Sequence, residues 1–253
     1  MNSISPKHPR FKSLIIREKI IHNFNNGSVV NHGLIAHGRG EAFDYLIGET
    51  TIPPTINAIK VAAITLLNSQ NPVISVNGNV AALVPNEIVK LSNILNCKIE
   101  INLFHQSKTR VKIISDLLYK SGAKEILGLK SLINIPEIFS NRSQVDPEGI
   151  FKADTVLVPL EDGDRVQTLV KMGKKVIVID LNPLSRSSKY ATISIIDNVV
   201  RAFPLLLSYI KQFKNNTNKI ELNEFHNSHN IKLCLKYINK NLSQKFTKYN
   251  FKI

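Results

Sequence analysis

The chain alternates short apolar runs with helix-forming segments in two separate stretches, and this alternation restricts the fold more than any other feature. The first stretch begins at Pro72 with PVISVNGNVAALVPNEIVK, and the second begins at Thr155. Short apolar runs bounded by turn residues are typical of buried strands, and the longer segments between them have helical spacing. The predicted strands are residues 73–76, 99–104, 155–159, 175–179 and 191–196, and the predicted helices are residues 85–95, 109–121, 162–172 and 198–213.

The predicted strands are apolar on both faces, as the run KVIVI from Lys175 illustrates. A strand of a half-exposed antiparallel sheet alternates apolar and polar residues, whereas a parallel strand covered on both faces reads as a continuous apolar run. Strands that alternate with helices also favour βαβ connections. We therefore predict an α/β fold of three layers with a mostly parallel sheet.

Further helical patterns precede and follow this region, and no internal repeat is evident. They predict helices at residues 11–24, 41–47, 53–67 and 227–242, glycine-rich or polar loops at residues 33–40, 77–84 and 180–188, and an irregular segment at residues 128–150. A chain of 253 residues buries one substantial core. We predict a single α/β domain over residues 1–213, with a helical N-terminal part, and a basic C-terminal helical extension over residues 214–253.

The formal net charge of +14 suggests an anionic partner, so its distribution along the chain matters. Residues 211–253 carry nine Lys and two Glu, so half of the excess charge lies in this short segment. It is rich in Lys and Asn and has no Arg interleaved with aromatic residues. We interpret it as a solvated surface and expect no nucleic-acid partner. The alternative, a nucleic-acid module, predicts binding that weakens steeply with salt and is lost without residues 214–253.

Cysteine use and hydropathy indicate the compartment. Cys97 and Cys234 lie far apart and have no CxxC or metal-binding spacing, so neither a disulfide framework nor a zinc site is predicted. The N-terminus lacks the apolar run of a signal peptide, and no later segment reaches about 18 apolar residues without a charge. We expect a soluble, cytoplasmic protein with no membrane partner.

The loop after the first predicted strand is a candidate anion site. Ligands of open parallel sheets bind beyond the carboxyl ends of the strands. Asn77, Gly78 and Asn79 lie at this position, where glycine lets backbone amides approach a phosphate and asparagine adds short polar side chains. A structural turn explains the same residues almost as well.

The loop DLNPLSRSS, which follows the strand ending at residue 179, is a second candidate. An acidic residue at the end of a strand, here Asp180, is the usual acceptor for ribose hydroxyls, and Arg186 with Ser185 or Ser187 suits a phosphate. An Asx turn explains residues 180–183 equally well but gives no reason for Arg186.

The stretch GLIAHGRGEAFDYLIGE is a third candidate. Gly38 and Gly40 would let the backbone bend around a ligand, and Arg39 offers a planar donor group for phosphate or carboxylate. His37 suits a hydrogen bond to developing negative charge, and Glu41 suits proton transfer or Mg²⁺ binding. The alternative is a glycine-rich turn in which Glu41 caps a helix and His37 is an ordinary polar residue.

The usual local fingerprints for nucleotides are missing. The chain contains no GxxxxGK[ST] sequence, and no GxGxxG follows a strand. It also lacks a GxSxG nucleophile elbow and a zinc-binding HExxH. The residues alone therefore indicate an α/β enzyme that binds an anionic, nucleotide-like ligand.

Several ordered blocks nevertheless resemble one family. These blocks are similar to those of the archaeal-type 4-phosphopantoate–β-alanine ligases, also called phosphopantothenate synthetases. They lie between His8 and about Phe213, and in chain order they are HPR, LIIREK, GLIAHGRGEAFDYLIGE, NGNVAALVP and DLNPLSRSS. The resemblance implies a Rossmann-like core and a homodimer. It also implies ATP-dependent joining of 4-phosphopantoate to β-alanine through an acyl-adenylate, with 4'-phosphopantothenate, AMP and diphosphate as products on the route to coenzyme A.

The resemblance also implies roles for single residues. The ATP contacts carried over by motif are Arg17, Arg39, Asp180, Leu181, Asn182, Arg186, Ser187, Asn198 and Val199. A carboxylate that attacks a phosphate needs cations nearby, which the arginines and an ATP-bound Mg²⁺ would supply; no residue is assigned to the metal. His37 or Glu41 would assist proton removal from β-alanine, unless positioning alone provides the rate. We expect the substrate phosphate at Asn77, Gly78 and Asn79.

Two other functions remain open at this point. A related ATP-dependent ligase would use unphosphorylated pantoate as its acid substrate. A non-catalytic regulator would bind ATP without releasing AMP.

Overall fold

The structure is a computed structural model that describes residues 4–130, 132–215 and 225–248, with side chains through residue 244. The helices are α1 Phe11–Asn25, α2 Asn31–Ile47, α3 Pro53–Leu67, α4 Gly78–Leu83, α5 Pro85–Leu95, α6 Lys108–Lys120, α7 Gly163–Lys171, α8 Arg186–Tyr190, α9 Val199–Lys214 and α10 Asn227–Lys248. The strands are β1 Pro72–Val76, β2 Lys98–Ile101, β3 Ile126–Leu127, β4 Ile133–Asn134, β5 Gln144–Val145, β6 Thr155–Pro159, β7 Lys175–Ile179 and β8 Ile193–Ile195.

The central sheet has six strands in the order β3-β2-β1-β6-β7-β8, and every neighbouring pair is parallel. The chain starts in the middle at β1, extends to one edge, returns to β6 beside β1 and then extends to the other edge. This is the Rossmann strand order, and its direction reverses between β1 and β6. The predicted α/β class with a parallel sheet is confirmed.

Helices cover both faces of the sheet. On one face Leu157, Ile177 and Ile179 join an apolar core with α3, α5, α6 and α9. On the other face Val156 and Val178 pack with α7 and with the segment after β4. Neighbouring residues along one strand thus face different cores, which explains why the buried positions of β6 and β7 are mostly apolar and confirms the three-layer arrangement.

The described part of the C-terminal extension packs on the main body. Cys234 and Ile238 of α10 are buried with Ile47, Ile52 and Ile196. The predicted helix at residues 227–242 is therefore present and continues to Lys248. Residues 216–224 and 249–253 lie outside the described residues, and the division of the chain at residue 213 stays a prediction. None of the described helices is long and apolar enough to cross a membrane.

Three predicted loops contain helix. Residues 33–40 belong to α2, residues 78–83 form α4, and α8 begins at Arg186 within the polar loop. In α2, contacts made by the folded chain outweigh the local preference of glycine against helix, whereas α4 and α8 begin at local N-caps, Asn77 and Ser185. The described part of the segment at 128–150 is irregular with a short helical turn, as predicted, at Asn141–Ser143, and it also contains the short β4–β5 pair, which was not predicted.

Candidate active site

A cleft of about 640 Å³ lies at the carboxyl ends of the strands, where the strand order reverses. Residues after β1, β6 and β7 form its floor, and α2 contributes a wall. Ten of the predicted site residues line it, namely His37, Arg39, Asn77, Gly78, Asn79, Asp180, Leu181, Asn182, Arg186 and Ser187. Three loops that are distant in sequence thus meet where ligands of this sheet topology bind.

The idea that Gly38 and Gly40 bend the backbone around a ligand is wrong, because both lie inside the continuous helix α2. A Cβ at Gly38 would meet no atom within 4 Å, and one at Gly40 would make an ordinary contact of 3.4 Å with Leu181. Gly33 is the sterically required glycine of this helix, since a Cβ there would lie 2.4 Å from Asn79 Oδ1.

The helix presents His37 and Arg39 to the cleft. His37 Nε2 is buried and has no hydrogen-bond partner among the described residues. Burial lowers the pKa of His37, so the ring is neutral at pH 7 and one of its nitrogens is available as a proton acceptor. Arg39 is exposed and forms no ion pair with a carboxylate in the described ranges.

The asparagines after β1 hold neighbouring elements together. Asn77 caps α4, and its Nδ2 donates to the Leu160 carbonyl at 2.9 Å. Asn79 Nδ2 donates to the Gly33 carbonyl at 2.8 Å, which fixes α2 over the sheet. The interpretation of this loop as a structural turn therefore accounts for the contacts that both side-chain amide groups make.

Gly78, between the two asparagines, marks a close approach of several parts of the chain. A Cβ there would lie 2.2 Å from the Ser28 carbonyl oxygen and 2.6 Å from Arg110 Nη2. Arg110 reaches this position from α6 and donates from Nε to Ser28 O at 3.0 Å and from Nη1 to His105 O at 2.7 Å. The glycine thus leaves room for a guanidinium group at the end of β1.

The loop after β7 forms Asx turns, and several of its side chains also line the cleft. Asp180 Oδ1 accepts from Asn182 N at 3.0 Å, and Asn182 Oδ1 accepts from Leu184 N at 2.8 Å. Burial raises the pKa of Asp180, while the turn amide and the charge of Arg39 oppose this rise. Arg186 Nη2 donates to Gln167 Oε1 at 2.7 Å. Arg186 has no acidic partner in the part of the chain that the structure describes.

The remaining predicted residues lie outside this cleft. Arg17 of α1 donates from Nε to Glu41 at 2.8 Å, which raises the pKa of the arginine. Glu41 and Asn198 line a second cleft of about 460 Å³ between the N-terminal segment and the start of α9. Val199 is the buried first residue of α9.

A buried charge network supports this second cleft. Arg201 donates to Asp44 Oδ1 at 2.6 Å and to Asp197 Oδ1 at 2.8 Å. Asn198 Nδ2 donates to Asp44 Oδ2 at 3.1 Å. The start of α9 is therefore tied to α2. The predicted nucleotide contacts in the main cleft and those near the second cleft both lie beside α2.

Sequence reasoning missed the basic end of the main cleft. His32, His105, Arg110 and Arg142 line it, and the rings of His32 and His105 lie 4.4 Å apart. Burial and the nearby Arg142 lower the pKa of Arg110 to about 10, and Arg110 pairs with no carboxylate among the described residues. An uncompensated, half-buried guanidinium group indicates an anionic ligand.

Two acids at the carboxyl end of β6 were also missed. Glu161 and Asp162 line the cleft between its two cationic ends and contact Arg142. A signal for them was present, because the sequence PLEDGD directly follows an apolar strand. No comparable signal identifies Arg142, which comes from the irregular segment.

Comparison with known proteins shows the family of this chain. Residues 54–241 match the family described as phosphopantothenate/pantothenate synthetase. The chain belongs to this family. Several similar curated proteins are named 4-phosphopantoate–beta-alanine ligase. The protein from Thermococcus onnurineus is 54% identical over 85% of this chain and 82% of its own length, and the one from Methanosarcina mazei is 50% identical over 85% of this chain and 84% of its own length. The protein from Methanospirillum hungatei is 46% identical over 94% of this chain and 98% of its own length.

Family membership confirms the resemblance based on the ordered blocks. The match includes residues 77–79 and the loop after β7, which the structure brings into one cleft. The cleft has two cationic ends, one with Arg110 and Arg142 near β2 and one with Arg39 and Arg186 near β7. Two strands separate β2 from β7, so these two strands lie roughly 14 Å apart at the usual strand spacing.

Proposed function

We propose that this member of the phosphopantothenate synthetase family joins 4-phosphopantoate to β-alanine in an ATP-dependent reaction of coenzyme A biosynthesis. The products are 4'-phosphopantothenate, AMP and diphosphate. The observation that carries the proposal is the cleft at the reversal of strand order, with two separate cationic ends. Two anionic substrates require two such regions with a reaction centre between them.

ATP occupies the end formed by α2 and the loop after β7 in this proposal. Arg39 and Arg186 lack acidic partners among the described residues and suit the phosphates, and Asp180 suits the ribose hydroxyls. Leu181, Asn182 and Ser187 belong to the same loop. Arg17, Asn198 and Val199 remain proposed contacts on the side of the second cleft, and Arg17 is held by Glu41 through its Nε.

The described residues do not form a metal cage. No group of three or more His, Cys, Asp or Glu side chains within the described ranges is arranged to hold a metal ion. Glu161 and Asp162, the acids nearest the cleft centre, are paired with arginine. We therefore treat Mg²⁺ as part of the substrate, carried by the phosphate oxygens of ATP and by water.

The phosphate of 4-phosphopantoate binds at the other end in this proposal, beside residues 77–79. Arg110 and Arg142 supply the positive charge, and His105 lies next to Arg110. Gly78 lets Arg110 approach, while Asn77 and Asn79 fix the surrounding loops. This end distinguishes 4-phosphopantoate from pantoate, because an unphosphorylated acid leaves Arg110 without an anionic partner among the described residues, whereas Arg142 keeps its contacts to Glu161 and Asp162.

The pantoate carboxylate then faces the α-phosphate of ATP at the centre of the cleft. Arg39 and Arg186 reduce the repulsion between the two anions, and the resulting acyl-adenylate is attacked by the neutral amine of β-alanine. His37 is the favoured proton acceptor, because it lines the cleft and Nε2 has no partner in the described chain. Glu41 is held by Arg17, so its proposed role is to position that arginine.

We also propose a cytoplasmic homodimer. Ile35 of α2 is 69% exposed and Leu184 is 68% exposed, and both flank the cleft. Cys97 and Cys234 are free and buried, which fits a reducing compartment. The molar mass in solution, measured by light scattering after gel filtration, tests the dimer.

The direct test of function is product formation by the full-length protein. We would incubate it with ATP, Mg²⁺, 4-phosphopantoate and β-alanine, omit each acid in turn, and quantify AMP and 4'-phosphopantothenate. Product that requires both acids supports the ligase. ATP binding without AMP release supports the regulator, and equal turnover with pantoate refutes the assignment of the basic end.

A further inference from the structure

One buried carboxylate joins two arginines below the basic end of the cleft. Glu161 Oε2 accepts a hydrogen bond from Arg142 Nη1 at 2.8 Å and another from Arg165 Nη1. Arg142 Nε also lies 3.0 Å from Asp162 Oδ2. Any displacement of Arg165 therefore reaches Arg142 through a single shared oxygen atom.

The two arginines differ in their access to a ligand. Arg142 lines the cleft, whereas the side chain of Arg165 is 0% exposed and does not line it. Arg165 comes from α7 and donates from both Nη atoms to Ser75 Oγ of β1, at 3.3 and 3.4 Å. It is thus fixed between a helix and a central strand and contacts no substrate itself.

Stability does not explain why this position carries a charge. Removing a guanidinium group from water costs several kcal/mol, and a buried ion pair is often no more stabilising than apolar side chains of similar volume. The cost is higher here, since Arg165 Nε is buried without a hydrogen-bond partner in the described structure. What the arginine does provide is a fixed direction for Glu161, and hence for Arg142.

We propose that Arg165 is a positioning residue that acts through Glu161 to hold the Arg142 guanidinium group at the basic end of the cleft. This inference rests on the proposed function, because the ligand of that end is taken to be the phosphate of 4-phosphopantoate. Among the described residues, the Arg142 guanidinium group has one hydrogen bond besides its contacts to the acids, from Nη1 to Asn102 O at 3.2 Å. Without Arg165, Glu161 Oε2 loses its second guanidinium partner, which leaves its direction toward Arg142 less fixed.

The experiment compares Arg165→Met with Lys171→Met in the full chain. Lys171 lies on the same helix and carries the same charge, but it is 61% exposed and pairs with Glu137 outside the cleft. We expect Arg165→Met to raise KM for 4-phosphopantoate at least about tenfold, as expected for a displaced charge-assisted contact, and to change KM for ATP less than about twofold. Lys171→Met should match the wild type in both constants.

A double-substitution cycle separates positioning from a structural role. If Arg165 acts through Arg142, adding Arg165→Met to Arg142→Met should raise KM for 4-phosphopantoate no further. Fully additive effects, or an unchanged KM in Arg142→Met alone, would overturn the inference. A uniform loss of kcat with unchanged KM would do the same.

A second variant covers the case in which Arg165→Met does not fold. Glu161→Gln keeps the shape of the side chain and weakens both of its contacts to arginine, and we expect the same selective rise in KM. An unchanged KM in this variant overturns the inference. Failure of the proposed function looks different, because the wild type itself then forms no 4'-phosphopantothenate.

Discussion

Alanine substitution at Gly78, which lines the cleft, and at Gly38, which lies within helix α2, should have opposite effects on stability. At Gly78 a new Cβ would lie 2.2 Å from the carbonyl oxygen of Ser28 and 2.6 Å from Arg110 Nη2. At Gly38, within α2, a new Cβ would meet no atom within 4 Å. The same change of one methyl group therefore tests crowding at one site and backbone entropy at the other.

The magnitudes follow from these contacts. The Ser28 carbonyl belongs to the backbone, and the Ser28 hydroxyl donates to the Asn23 carbonyl at 3.0 Å, so this segment does not move freely. Forcing it aside should cost about 1–3 kcal/mol, as other overpacked sites do. Replacing a glycine inside a helix by alanine should gain about 0.5–1 kcal/mol at Gly38.

Urea unfolding followed by circular dichroism measures both variants against the wild type. We expect a lower midpoint for Gly78→Ala and a slightly higher midpoint for Gly38→Ala, with similar slopes. Because the methyl group also displaces Arg110, Gly78→Ala should raise KM for 4-phosphopantoate more than KM for ATP. A Gly78→Ala protein as stable as the wild type would refute the close approach, and equal losses in both variants would refute the reasoning about Gly38.

Three further predictions concern charge. Arg39→Ala should lower kcat/KM for ATP at least about tenfold, and unchanged turnover at limiting ATP would contradict its role. Burial lowers the pKa of His37, so its protonation should reduce kcat only below its ordinary pKa of 6.5, and His37→Gln should be at least about 100-fold slower and lack this acid limb. Burial raises the pKa of Glu100 from 4.5 to about 7, so the folded state binds more protons in that window and the Glu100 contribution to stability falls as pH rises. In urea unfolding the difference between wild type and Glu100→Gln should change across this window by up to about 3 kcal/mol, and a constant difference would contradict the assignment.

The elements with strong local signals were predictable. The strands β6 and β7 and the helices α3 and α5 have the predicted bounds. Each strand is an unbroken apolar run, and each of these helices begins with proline at its first positions. In these segments the local preference and the burial pattern agree, so the sequence specifies both the element and its ends.

Helix α2 was not predictable beyond its second half. Its first part contains Gly33, Gly38 and Gly40, each of which disfavours a helix by about 1 kcal/mol relative to alanine. The helix forms because it packs on the rest of the fold, with Gly33 against Asn79 and Gly40 against Leu181. Asn79 and Leu181 are distant from α2 in sequence, and no local pattern predicts these contacts.

Eight of the ten predicted residues that line the cleft follow strands, whereas His37 and Arg39 lie on helix α2 and were identified from the glycine-rich stretch. The loops after β1 and β7 were identified because the carboxyl ends of parallel strands are known ligand positions. Arg110 and Arg142 come from a helix and from an irregular segment, and they meet at the basic end only through the topology of the sheet. Their role as counter-charges follows from the folded geometry and not from spacing.

The two roles considered for the loop after β1 can be combined. The Nδ2 groups of Asn77 and Asn79 are bonded to backbone carbonyls, so they are not available to a phosphate unless those contacts break. The Asn79 contact, however, fixes α2 through Gly33, and α2 carries His37 and Arg39. In the proposed function, the loop therefore serves the ligand by holding the charged groups on both sides of it, and the arginines supply the charge.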